Sequence, residues 1–215
     1  MPTLASQTAQ VSATFSRTAP QPIQDVITTN LQNHISTFDT SSVLKPGSIL
    51  PPFTLPNATG QIISSADLLA KGPILVTFYR GHWCPFCSLA LRSLQQILPT
   101  LHERGVQLVA ISPELPDTSL STSEKNALTF PVLSDVENAY ARELGLVWKM
   151  DDSLRPIFEK LGHDLVKGNG DDSFEVPVPA TVLVGGDGVV RKRFVEADYR
   201  VRVEPGVVLE WVDEL

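Results

Sequence analysis

A continuous apolar run, Ile74-Leu75-Val76-Thr77-Phe78-Tyr79, leads directly into Arg80-Gly81-His82-Trp83-Cys84-Pro85-Phe86-Cys87. Such a run, rich in β-branched and aromatic residues, reads as a strand buried on both faces. Beyond it Leu89, Leu91, Leu94, Ile97, Leu98 and Leu101 recur at helical spacing, with Arg92, Gln95 and Gln96 between them. The two cysteines of the chain therefore stand where a central strand hands over to a helix. In an open α/β sheet this carboxyl edge is where ligands bind.

The position favours thiol chemistry. A helix N-terminus offers unpaired backbone N–H groups and a partial positive charge, and both stabilise a thiolate. Within Cys-X-X-Cys a cysteine there has its pKa lowered, and the thiolate is the nucleophile. Pro85 suits the first helical turn, since it has no N–H to leave unpaired. The spacing puts both sulfurs on neighbouring positions of one turn, within reach of a disulfide. Two structural thiols would have no reason to straddle such a junction. A zinc site needs about four ligands, and beyond the cysteines only His82 and His102 could be improvised. The pattern is redox.

At 215 residues the chain can bury one sizeable domain and carry an extension. A hydrophobic share of 42% and a charged share of 19% describe an ordinary globular protein. The net charge of −7, with no basic stripe, argues against nucleic acid as a partner. No apolar stretch is long enough to cross a bilayer, and the N-terminus lacks a secretory pattern. A lone cysteine pair suits a reducing setting, so a cytoplasmic location is expected. The first 24 residues are rich in Ser, Thr and Gln with Arg17 as their one charge, fewer arginines than a transit peptide would want.

Along the chain, residues 1–22 read as disordered, and a helix from Ile23 would carry Ile27, Leu31, Ile35 and Phe38 on one face, with His34 beside it as a surface or packing residue. This gives an extension over 1–43 and a main domain over 44–215. Phe53-Thr54-Leu55 and Ile62-Ile63 read as short strands, with Ser65 capping a brief helix from Ala66 to Ala70. Val106 to Ile111 is a second buried strand, parallel to the first. Ser112 to Lys125 is a loop leading into a short helix, Phe130 to Leu133 an edge strand, and Val136 to Leu144 a helix. Asp151 to Leu161 reads as a helix interrupted at Pro156. Lys167 to Asp172 reads as an exposed loop with His163 at the surface before it. Val182 to Val195 forms a hairpin around Gly185-Gly186-Asp187-Gly188, and a helix closes the chain from Pro205. Alternating strands and helices imply an α/β fold, a mixed central sheet flanked by helices on both faces.

From about Leu44 to Pro205 the chain resembles the alkyl hydroperoxide reductase/thiol-specific antioxidant group, on a thioredoxin-like fold. The resemblance rests on Pro51-Pro52-Phe53-Thr54-Leu55-Pro56, Phe78-Tyr79, Phe130-Pro131-Val132-Leu133-Ser134-Asp135 and Pro177-Val178-Pro179-Ala180-Thr181. The Cys-Pro-Phe-Cys turn is similar to that of a peroxiredoxin-like branch, which also often carries an N-terminal helical extension.

The resemblance makes two assignments that disagree. The peroxiredoxin pattern Pro-X-X-X-Thr/Ser-X-X-Cys, aligned on Phe78-Tyr79, puts Cys87 at the peroxide-attacking position. Arg80 then stands in place of the proline and Cys84 in place of the hydroxyl. A thioredoxin-like reading instead makes Cys84, following Trp83 at the exposed end of the helix, the nucleophile, and Cys87 the resolving thiol. Both routes end in a Cys84–Cys87 disulfide. Arg80 would lower the thiol pKa and orient a peroxide oxygen; otherwise it is an exposed surface arginine. His82 would be a proton donor or a solvated side chain. Arg202 matches the arginine that the branch places near the site, and Pro179 the cis proline that thioredoxin folds set opposite the turn. The implied function is a thiol peroxidase on hydrogen peroxide or organic hydroperoxides, reduced by thioredoxin or glutathione, needing no cofactor, and often a homodimer in this group. The alternatives are a thiol–disulfide oxidoreductase, for which the missing hydroxyl argues, and a thioredoxin-fold protein whose redox role has lapsed.

Overall fold

The computed structural model describes residues 2–215. Two helices, α1 (Leu4–Thr18) and α2 (Gln21–Thr37), precede a small antiparallel pair, β1 (Thr54–Pro56) and β2 (Ile62–Ser64). Helix α3 (Ser65–Leu69) leads into β3 (Ile74–Phe78), and the long helix α4 (Pro85–Glu103) follows. Next come β4 (Gln107–Ser112), α5 (Pro116–Lys125), β5 (Val132–Ser134), α6 (Ala139–Glu143) and β6 (Val147–Lys149). The chain continues through α7 (Arg155–Lys160), α8 (Leu165–Asn169), β7 (Glu175–Pro177), β8 (Ala180–Val184), β9 (Val190–Val195) and α9 (Pro205–Asp213).

The central sheet runs in the order β5-β4-β3-β8-β9. Strand β3 pairs parallel with β4 and antiparallel with β8, so the sheet is mixed, as the alternation of elements implies. Every residue of β3 is buried, and alternate side chains feed two cores. Ile74, Val76 and Phe78 pack with Leu68, Tyr140 and Leu144, while Leu75 and Tyr79 pack with Leu91, Leu94 and Leu98 of α4 and Val208 of α9. Burying each such aliphatic or aromatic side chain contributes roughly 1.5–3 kcal/mol, which makes the strand feeding the cysteine turn a rigid base for it.

The first residues are helical rather than disordered. Leu4, Thr8, Val11 and Phe15 recur at helical spacing; Leu4 and Thr8 are buried, and Val11 packs on the core beside α4. The N-terminus of α1 is held by Glu204, whose carboxylate accepts the backbone N–H groups of Leu4 at 3.0 Å and Ala5 at 2.7 Å. Composition alone hid this, because the stripe is thin and its anchor lies at the far end of the chain. Met1, the first residue of the segment read as disordered, lies outside the described residues.

In α2 the inward face is Ile23, Ile27, Leu31 and His34, whereas Ile35 is 37% exposed. His34 is a packing residue: its ring stacks on Trp148 with centroids 4.3 Å apart.

Other differences are local. Ser64, not Ser65, caps α3, its hydroxyl accepting the N–H of Asp67. The segment before α6 breaks because Glu137 and Asn138 adopt left-handed conformations, with φ of 63° and 54°. Pro156 lies in the first turn of α7, where it is tolerated, and so starts that helix rather than interrupting one. Asp164 caps α8, which takes in the first half of the segment read as a loop. The β6–β7 ribbon went unread because each strand has only three residues and its partner is distant.

A third cluster, Met150, Leu154, Phe158, Phe174 and Val176, packs with Ile23, Val26 and Ile27 of α2 and with Trp83 and Trp148. The α6–β8 segment and the N-terminal helices thereby come together over the cysteine turn.

Candidate active site

Strand β3 ends at Phe78, and the chain turns through Tyr79 to Trp83 before Cys84 takes the N-cap of α4, with Pro85 in the first turn. Gly81 is required in that turn. Its φ is +150°, and a Cβ there would lie 2.3 Å from Trp83 Nε1 and 2.9 Å from Glu114 Oε1. Both cysteines are unbridged. Each is only 1% exposed, so Cys84 is not at an exposed helix end: Trp83, Phe86 and the covering segments close over it.

Two arginines converge on the sulfurs. Arg80 is 4% exposed, a buried cation rather than a surface one. Its Nη1 lies 3.8 Å from Cys84 Sγ, and its backbone N–H donates to Cys87 Sγ at 3.4 Å. The guanidinium lies over Tyr199 at 3.9 Å, Trp83 at 4.6 Å and Trp148 at 5.5 Å, an aromatic cage that holds the cation without neutralising it. Arg202 Nη2 donates to Cys87 Sγ at 3.3 Å. Of the arginines in the segment from Asp198 to Arg202, Arg200 instead pairs with Asp198 at 2.7 Å.

Burial alone pushes the Cys84 thiol up. The hydrogen bond from Cys87, then Arg80 and Arg202, more than offset this and pull it down to about 5. Cys87 moves the other way, pushed up by burial and by the adjacent Cys84 sulfur despite both arginines. The two titrate as a unit, in which the first proton leaves easily and the second is retained. One negative charge shared between two sulfurs and faced by two guanidiniums is the expected state at neutral pH.

The sulfurs open onto different spaces. Cys84 lines a cleft of about 440 Å³ walled by α1, α2 and α7. Trp83 lines the same cleft and meets Phe158 edge-on at 4.8 Å. Cys87 instead lines a pocket of only about 20 Å³ together with Arg202 and Pro179. Pro179 thus sits by the cysteine pair, but the Val178–Pro179 bond is trans: the described residues contain no cis peptide bond. Val178 donates its N–H to Leu146 O at 2.6 Å, and the bond keeps the trans form that an X–Pro peptide prefers by about 0.5–1 kcal/mol.

Sequence reasoning missed Glu114. Its side chain is 1% exposed and accepts from His82 Nδ1 at 2.6 Å. The same carboxylate takes the His82 backbone N–H at 2.8 Å and the hydroxyls of Tyr79 and Thr122, each at 3.3 Å. It clamps the turn from below. Glu114 follows β4, the neighbour of β3, so its place at the same sheet edge was available from the strand reading. Tyr199 and Trp148 had no local signal, since only the tertiary fold brings them to Arg80. His163, read as a surface residue, lines the cleft, and burial and nearby His82 lower its pKa.

The model of the AhpC/TSA family matches residues 46–193. Peroxiredoxin Bcp of Escherichia coli K12 is 27% identical over 171 residues, covering 80% of this chain and 97% of that one. A relative in Buchnera aphidicola is 35% identical over 107 residues, which span 50% of this chain and 66% of its own length. Among solved structures, peroxidoxin BcpB from Mycobacterium tuberculosis shares the fold with a TM-score of 0.62 at 19% identity, over 80% of this chain and 98% of that one. Reduced Prx3 in complex with H2O2 from Vibrio vulnificus gives a TM-score of 0.62 at 18% identity, over 79% and 99%. Helices α1 and α2 lie outside the matched region.

Proposed function

The chain belongs to the AhpC/TSA family, and on that footing we propose that it is a thiol peroxidase cycling Cys84 and Cys87 between dithiol and disulfide. One observation carries the reading: the sulfurs of Cys84 and Cys87 are each met by a guanidinium, Arg80 on the first and Arg202 on the second.

Cys84 attacks first. The family register favours Cys87, but Cys84 is the sulfur that lines the larger cleft and the one whose ionisation is eased. Its thiolate attacks one peroxide oxygen, the O–O bond breaks, and the leaving alkoxide or hydroxide takes a proton from water. Arg80 faces the oxygens as charge develops on them. The resulting Cys84 sulfenic acid is then attacked by Cys87, which gives up its proton as water leaves and the disulfide closes. Arg202 holds Cys87 in line for that step; Trp83 bounds the cleft at Cys84 and Pro179 the pocket at Cys87. A thiol reductant of the thioredoxin or glutathione class restores the dithiol. The setting is a reducing, cytoplasmic one, and a homodimer follows the habit of the group.

A second reading, reduction of disulfide substrates, is favoured by Cys84 standing where the family pattern has a hydroxyl. Thiol titration before and after hydrogen peroxide tests the first reading. It predicts rapid loss of two thiols per chain with a Cys84–Cys87 disulfide in the tryptic map. Persistence of both thiols under peroxide, with turnover of a disulfide substrate, would establish the second.

A further inference from the structure

We propose that the cleft walled by α1 and α2 is the entry site for a low-molecular-weight thiol bearing a carboxylate, of tripeptide size or below, which reduces the Cys84–Cys87 disulfide directly. The inference rests on the dithiol–disulfide cycle and names its reductant.

Access carries the first half of the case. Because the cysteines take the N-cap and the first turn of α4, three positions apart, and both sulfurs meet Arg80, the disulfide closes without unwinding the helix. The cover seen over the dithiol therefore persists over the disulfide. Each cysteine is 1% exposed, and Cys87 lines a pocket of about 20 Å³. Cys84 is reached through a space large enough for a reactant: about 440 Å³ lies within the range of roughly 300–1,000 Å³ that holds a small molecule. A protein reductant would have to lay its own redox turn on Cys84, and Trp83, Phe158 and the N-terminal helices stand in the way.

Charge carries the second half. Arg80 and Arg200 line the cleft, and no aspartate or glutamate does. Arg200 is paired with Asp198, so once the disulfide has removed the thiolate charge the uncompensated cation on the wall is Arg80, whose buried Nε has no hydrogen-bond partner among the described residues. Trp83, on the same wall, turns its Nε1 toward Gly81 and presents its ring to the cleft. A cation on a wall without carboxylates favours a thiol that brings a carboxylate over a purely alkyl one.

The exchange has a defined direction. The thiolate of the small thiol attacks Cys84 Sγ, and the S–S electron pair passes to Cys87, whose thiolate Arg202 Nη2 and the Arg80 backbone N–H receive. The thiolate of a second small-thiol molecule then attacks the first one's sulfur in the mixed disulfide on Cys84. That releases the oxidised small thiol and the Cys84 thiolate. Of the two protons given up, one stays between the two sulfurs and the other goes to water.

The test starts from protein oxidised with diamide, so it does not depend on peroxide turnover, which is measured separately. Glutathione at millimolar concentration should regenerate two thiols per chain, with an observed rate at least tenfold above that given by micromolar thioredoxin with its reductase. Glutathione disulfide added to Cys87→Ser should leave a mixed disulfide on Cys84. The double variant Ser12→Phe/Thr28→Phe, which narrows the cleft from both helices, should slow glutathione at least tenfold. Thioredoxin matching or exceeding glutathione would overturn the proposal, as would failure of Cys84 to form the adduct. Should the double variant not fold, the adduct map and the rate ratio decide alone.

Discussion

Replacing Arg80 with methionine removes the cation nearest Cys84 while leaving a side chain of similar length in the aromatic cage. The guanidinium nitrogen stands 3.8 Å from Cys84 Sγ. At an effective dielectric of about 20, a unit charge pair at that distance is worth about 4 kcal/mol, or about 3 pKa units. The guanidinium charge is delocalised and Arg202 remains, so that figure is the ceiling, and roughly one unit is the floor. From about 5 in the wild-type protein, the first ionisation of the pair should rise to between about 6 and 8. Thiolate absorbance at 240 nm, titrated from pH 4 to 10, reads this directly, with near-ultraviolet circular dichroism to confirm that the cage is intact. A first ionisation that stays at its wild-type position in folded Arg80→Met would refute the view that Arg80 activates the thiol.

Two further outcomes follow from the buried groups around the site. His34 is held neutral by burial first and by Arg80 second, its pKa lowered from 6.5 to about 4. Since the folded value is the lower one, the unfolded chain binds the extra proton: stability is full above pH 6.5 and falls toward pH 4, by roughly 3 kcal/mol. Urea midpoints at pH 7.5 and 4.5 should show that loss in the wild type and a clearly smaller one in His34→Phe; equal losses would contradict the assignment. Glu114→Ala leaves the His82 backbone N–H and the hydroxyls of Tyr79 and Thr122 without their acceptor, which should cost about 3 kcal/mol in urea unfolding. A loss below about 1 kcal/mol would mean that the carboxylate does not clamp the turn.

The strand–turn–helix was legible because everything that makes it is local: a buried β-run, a proline in the first helical turn and leucines at helical spacing. The sheet core was legible for the same reason. The covering of the site was not, because its parts are remote in sequence. Glu204 anchors α1 from 200 residues away, Trp148 reaches Arg80 only once the α6–β8 segment has folded back over the turn, and Tyr199 only once the chain beyond β9 returns to it. Arg202 was legible only through resemblance, since no spacing links it to Cys87. The trans geometry at Pro179 shows the limit of that route: the resemblance brought the residue to the pair but not the isomer, which is the one X–Pro bonds intrinsically prefer.

The order of attack is the central claim, and single-turnover reaction with hydrogen peroxide tests it most directly. Stopped-flow rates for Cys84→Ser and Cys87→Ser would be read together with dimedone trapping and mass spectrometry of the sulfenic acid. Cys87→Ser keeps a hydrogen-bond donor beside the Cys84 thiolate, and should form a sulfenic acid on Cys84 far faster than a free cysteine does. Rapid formation on Cys87 in Cys84→Ser, with Cys87→Ser inert, would contradict the account and return the attacking role to Cys87.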